Sequence, residues 1–152
     1  MDYNELIAGF ATKLGVEGIT TNDGITAVNF DDMKVEIVHN EVDRSVLFYG
    51  VIGQGPIDDV PKYNAFLLQA NFLFQGTGGA TLSQNPRTKE YVLVRAFPLE
   101  YLDIDAFIAA LEAFVNGLER WRTMFDNFNP VKNEAETMIQ EPLPPFSGFI
   151  KA

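Results

Sequence analysis

PKYNAFLLQANFLFQGTGGATLSQNP, residues 61–86, is the stretch whose reading decides the fold. Its first half predicts a helix from about Val60 to Phe74. Pro61 falls in the first turn, where the N–H that proline lacks has no helical partner to lose. Phe66, Leu67, Ala70 and Phe74 share one face of this helix, and Leu68 and Phe72 lie on another. A helix apolar nearly all round is buried nearly all round. Gly76–Gly79 ends it, Ala80–Ser83 predicts a short strand, and Asn85-Pro86-Arg87-Thr88 a hairpin turn. The chain has 152 residues and few other elements to cover such a helix. The simplest cover is a second copy, so the stretch predicts an obligate dimer.

Working outward, Tyr3, Leu6, Ile7, Phe10 and Leu14 recur at helical spacing over residues 2–14, with Asp2 as the cap and Gly15 as the stop. Asn22-Asp23-Gly24 is a turn. Three strands follow: Gly24–Phe30, Met33–Val38 and Ser45–Ile52, separated by short polar turns at Asp31-Asp32 and Asn40–Asp43. The third is apolar on both faces, so one face needs a helix and the other needs a second cover. Gly53–Pro56 reads as a loop. Beyond the opening stretch, Glu90–Phe97 alternates as a strand. Asp103 caps a helix to about Phe125 whose stripe is Phe107, Ile108, Leu111, Phe114, Val115, Leu118 and Trp121 or Phe125. The order α-β-β-β-α-β-β-α predicts an α+β fold, an antiparallel twisted sheet flanked by helices, in a dimer. Residues 1–128 form one domain. Residues 129–152, with Pro130, Pro142, Pro144 and Pro145, read as a tail, either flexible or docked in a groove through Met138, Ile139, Phe146, Phe149 and Ile150.

Composition narrows the function classes. Hydrophobic residues make up 47% and charged residues 21%, an ordinary globular balance, with a high count of 13 Phe. Twenty-one acidic residues against 11 basic ones give a net charge of −10, which repels phosphate backbones and anionic lipid. Nucleic acid and membrane are therefore poor partners. No cysteine is present, so disulfides, thiolate metal sites and thiol nucleophiles drop out, in keeping with a reducing cytosol. The acidic start MDYNELIAGF lacks the basic region of a signal peptide, and no apolar run reaches the roughly 20 residues that span a bilayer.

Catalytic and metal-binding signals are weak. His39, the sole histidine, sits at a strand end as a solvated group without a candidate nucleophile or second ligand. Asp31-Asp32, Asp58-Asp59 and Asp103/Asp105 fall at turns and helix starts, where aspartate serves the backbone. Gly76-Thr77-Gly78-Gly79 follows a helix and precedes a strand, the reverse of a phosphate loop. No catalytic residue, metal or cofactor is expected.

Leu68 and Asn71, then GTGGATLSQNP (76–86), YVLVRAFPLEYLD (91–103) and FVNGLERWRTMF (114–125), together resemble the Tir chaperone family, the class I chaperones of bacterial type III secretion. The order of elements extends the resemblance over about residues 1–126, and agreement of order, length and acidity weighs more than one motif. The resemblance implies a cytoplasmic homodimer without enzymatic activity. It would bind the N-terminal segment of a secreted effector in extended form, through apolar anchors and strand addition at a sheet edge, with secretion-system components as further partners. On that footing Leu6, Phe10, Phe30, Val35, Ile37, Val46 and Phe48 are candidates for effector binding, and Leu68, Phe72, Ala80 and Leu82 for the dimer interface. Each reads equally as ordinary core. The alternative is a cytosolic dimeric interaction or regulatory module that binds a folded partner.

Overall fold

The structure is a computed structural model and describes residues 1–54 and 57–129. The expected tail, with Met138, Ile139, Phe146, Phe149 and Ile150, and Gly55-Pro56 of the expected loop lie outside the described residues. The elements are α1 (Tyr3–Leu14), β1 (Thr21–Asn22), β2 (Ile25–Phe30), β3 (Met33–Asn40), β4 (Ser45–Gly53), α2 (Val60–Asn71), β5 (Thr81–Gln84), β6 (Tyr91–Pro98) and α3 (Ile104–Phe128), with 3-10 turns at Phe72–Phe74 and Leu99–Tyr101. The six strands form one antiparallel sheet in the order β1-β2-β3-β4-β6-β5. This is the expected α+β fold. The one strand that sequence patterning missed is β1, because two residues carry no alternation.

The described residues gather into two compact units: Met1–Gly50 with Val94–Val115, and those of Val51–Leu93 with residues 116–129. In the first unit, Asp2 opens α1 with a reciprocal capping box to Glu5, and the Gly15 N–H closes it on the carbonyls of Ala11 and Thr12. The buried face of α1 is Tyr3, Leu6, Ile7 and Phe10. α1 approaches α3 so closely at Gly9 that a Cβ there would stand 2.4 Å from Ile104 Cδ1. Asp103 accepts the Ala106 N–H at 2.8 Å at the start of α3. Phe48 is the hub of the core: its ring meets Phe97, Phe107 and Phe114 at centroid distances of 5.3, 5.4 and 5.6 Å, and Phe10 meets Phe107 edge-on. Burying each such side chain contributes about 1.5–3 kcal/mol. The Tyr3 hydroxyl bonds to Thr26 Oγ1 at 2.8 Å and donates to the Ile37 carbonyl at 3.0 Å, tying the start of α1 to the sheet.

In the second unit, α2 buries Tyr63, Leu67 and Ala70. Around Tyr63 stand Phe66, Tyr91, Phe125 and Phe128, and Phe66 also meets Trp121. The Tyr63 hydroxyl is buried without a hydrogen-bond partner among the described residues. Burial raises its pKa, and Tyr91 beside it adds to the rise. The helix expected to reach Phe74 ends at Asn71, and the physical reason is local. The Asn71 carboxamide turns away to grip β5, donating to the Leu82 carbonyl and accepting the Leu82 N–H, both at 2.9 Å. The Gly76 N–H folds back onto the Ala70 carbonyl at 2.9 Å. That reversal leaves Leu73 (φ 51°) and Phe74 (φ 57°) in the left-handed region, a conformation that side-chain-bearing residues occupy at a cost. The helix is also not buried on every side, since Leu68 is exposed.

Candidate binding surfaces

Cross-strand register sorts the residues of β2, β3 and β4 onto two faces. One face carries Thr26 and Val28, Met33, Val35 and Ile37, and Val46, Phe48 and Gly50, all buried in the first unit. On the other face Ile25 pairs with Val38 and Val38 with Leu47, giving an apolar row straight across three strands. Ile25 is 41% exposed, and Val38 and Leu47 are half-buried. The next rows turn polar: Ala27–Glu36–Tyr49, then Asn29–Lys34, with Lys34 bonded to Glu36 at 2.8 Å. The third predicted strand is therefore apolar on both faces for two reasons: one face closes the core and the other remains at the surface.

Beside this face lies a receptive edge. The His39 N–H bonds to the Gly24 carbonyl at 2.8 Å. In an antiparallel ladder such pairs recur at every second residue, so Thr26, Val28 and Phe30 turn their backbone groups to β3 while Ile25, Ala27 and Asn29 turn theirs outward. β1 pairs only with Ile25 and Thr26. Ala27 and Asn29, both exposed, lie past the last residue of β2 that β1 pairs and turn their N–H and C=O groups outward, the template on which another extended segment can pair. The opposite end of the strand order is different, since Asn71 already occupies the backbone groups of Leu82.

The second unit presents an exposed corner where α2 ends. Leu68, Phe72, Leu73 and Phe74 are 71, 64, 71 and 54% exposed. Four large apolar side chains within seven residues of chain, two of them on strained backbone, make this the densest run of exposed large apolar residues among the described residues.

The sequence profile of the Tir chaperone protein (CesT) family matches residues 5–122. This chain belongs to the Tir chaperone family. Its fold is similar to those of several solved complexes. The HopA1–SchA chaperone–effector complex aligns with a TM-score of 0.61 at 19% identity, covering 80% of this chain and 90% of that one. The ExsC–ExsE complex gives 0.70 at 18%, covering 81% and 96%. The Yersinia pestis type III secretion chaperone SycH, bound to a stable fragment of YscM2, gives 0.60 at 20%, covering 76% and 96%. No individually curated protein sequence matches the chain.

The chaperone's structure relocates most of the residues expected to bind. Leu6, Phe10, Val35, Ile37, Val46 and Phe48 have no accessible surface. They are inward positions of α1, β3 and β4 and have nothing left to offer a partner while the chain is folded. Phe30 alone among the effector candidates is half-buried. Ala80 and Leu82 are likewise buried within their own unit, whereas Leu68 and Phe72 lie together on the exposed corner. The residues that reasoning from sequence missed are Ile25, Val38 and Leu47. Their signal was the two-faced third strand, but pairing them required the register. His39 is corrected too: it is half-buried, its ring stacked on Tyr3 with centroids 4.7 Å apart. Among the described residues no cluster of His, Cys, Asp or Glu is placed to hold a metal ion, and no helix is long and apolar enough to cross a membrane.

Proposed function

We propose that this chaperone works as a homodimer in the bacterial cytoplasm and serves type III secretion. It binds the N-terminal segment of a secreted effector in extended form and keeps it soluble and export-competent, without catalysing a reaction. The observation that carries this reading is the apolar row Ile25–Val38–Leu47 lying beside the open backbone edge at Ala27 and Asn29. A folded partner has few free backbone groups to pair with such an edge; an unfolded segment has one N–H and one C=O per residue. Apolar side chains of the client would seat on the row while its backbone pairs with β2. Ordering a flexible segment costs entropy, so the client must cover a large area to bind well. The corner formed by Leu68, Phe72, Leu73 and Phe74 is the surface for the second copy, because burying four exposed apolar side chains at once is the strongest association force the described surface offers.

Size-exclusion chromatography tests the proposal. The wild-type chain is expected to elute at dimer mass and to retain an unfolded N-terminal effector segment. Val38→Asp with Leu47→Asp is expected to lose the segment while keeping dimer mass. Retention by the double variant, or capture by the wild type of folded partners alone, would overturn the reading.

A further inference from the structure

The edge that the client would occupy has a second suitor in the chain itself. β1 pairs Thr21 with Thr26 and Asn22 with Ile25, and in an antiparallel ladder each step back along β1 is a step forward along β2. Continued, the register sets Thr20 opposite Ala27 and Gly18 opposite Asn29. Those are the two residues whose backbone groups face outward. The pairing stops short of them. Gly18 stands at φ 75°, outside the strand region, and residues 17–20 leave the edge as exposed or half-exposed loop. β1 itself is pinned in place: Thr21 Oγ1 bonds to Thr26 Oγ1 at 2.6 Å, and Thr26 bonds on to Tyr3 of α1.

We propose that Glu17–Thr20 is a strap that closes the β2 edge by extending β1, in competition with a client strand. This rests on the strand-addition reading above and adds its regulation. The segment is suited to both states. Ile19 and Thr20 are β-branched and favour extended backbone. Gly18 is the one residue there that is equally at ease off the strand and on it. Closure gains the backbone hydrogen bonds of Thr20 with Ala27 and of Gly18 with Asn29, and loses the conformational freedom of three or four residues. Terms of those kinds are similar in size and opposite in sign, so the two arrangements lie within thermal reach of each other. A client strand that also brings apolar anchors to Ile25, Val38 and Leu47 then displaces the strap, while a segment lacking such anchors does not. The strap therefore raises selectivity for apolar clients and protects an exposed edge from pairing with other edges in the unloaded chaperone.

Amide hydrogen exchange on the full chain tests this without a client. A Cβ at Gly18 meets no heavy atom within 4 Å, so Gly18→Val is tolerated sterically, but valine is strained at φ 75° and comfortable in a strand. In Gly18→Val the Ala27 and Asn29 amides are expected to exchange at least tenfold more slowly than in wild type. Thr20→Pro, which removes the N–H that would pair with Ala27, is expected to leave them fast. The segment that co-elutes with the wild-type chain is expected to bind Gly18→Val at least fivefold more weakly than wild type, and Thr20→Pro as tightly as wild type or tighter. Circular dichroism confirms that each variant is folded. Equal exchange at Ala27 and Asn29 in wild type and Gly18→Val overturns the strap. If no effector segment binds the wild type, the proposed function fails, and the exchange comparison still decides the strap by itself.

Discussion

The two apolar surfaces of this chaperone are built in opposite ways. In the first unit, Ile25, Val38 and Leu47 belong to three different strands and are aligned by hydrogen-bonded register, so the surface is regular and meets the sheet edge at Ile25, where β1 pairs, with the outward backbone of Ala27 and Asn29 next along the edge. In the second unit, Leu68, Phe72, Leu73 and Phe74 are neighbours in sequence, thrown outward where a helix ends early on left-handed backbone, and the nearby β5 offers no comparable edge at Leu82 because Asn71 fills it. A flat apolar row beside an open edge suits a partner that lacks structure of its own. An exposed apolar corner with no comparable strand edge beside it suits a partner that is already folded, and in the reading proposed above that partner is another copy. Equal hydrophobicity thus specifies different partners according to what the backbone beside it leaves unpaired.

The comparison can be broken most severely at its foundation. Phe48 and Leu47 are consecutive in β4, one at the hub of the core and one on the outer row. Phe48→Ala is expected to cost about 3–5 kcal/mol of unfolding free energy, and Leu47→Ala only a few tenths to about 1 kcal/mol, as read by urea denaturation. Similar costs would mean that the outer row is covered within the chain. Next, Leu68→Asp with Phe72→Asp is expected to weaken self-association by about a hundredfold or more, on the scale of hot-spot losses, with unfolding little changed. Sedimentation velocity reads the mass, and a persistent dimer would remove the corner from the interface.

Asn71→Ala sharpens the contrast between the two ends of the sheet. It frees the Leu82 backbone groups and is expected to cost about 1–3 kcal/mol for the orphaned pair, with faster amide exchange at Leu82. Tyr63 gives the smallest effect. Tyr63→Phe removes a hydroxyl with no partner among the described residues and is expected to stabilise the chain by about 1 kcal/mol. Burial raises the pKa of Tyr63, Tyr3 and Tyr91 above the tyrosine value of 10.0. The neutral form is therefore favoured by folding, the stabilisation is complete below pH 10, and it is lost as pH rises through the folded-state values. Thermal melts from pH 8 to 11 are expected to show a falling Tm above pH 10, shallower in Tyr63→Phe.

The sequence by itself determined the kind of fold, the family, and every element long enough to show a period: the stripe from Phe107 to Phe125, the alternation of Met33–Ile37 and Tyr91–Phe97, the caps Asp2 and Asp103. These are local consequences of 3.6-residue and 2-residue repeats. It also showed that the strand from Ser45 to Ile52 had two apolar faces. Only the tertiary structure decided which apolar residues were core and which were surface. Leu6, Phe10, Val35, Ile37, Val46 and Phe48 went inside, Ile25, Leu68 and Phe72 stayed out, and Val38 and Leu47 lie half-buried between them. Hydrophobicity is a property of one side chain, whereas burial depends on which segments distant in sequence pack against it, and periodicity carries no record of that pairing.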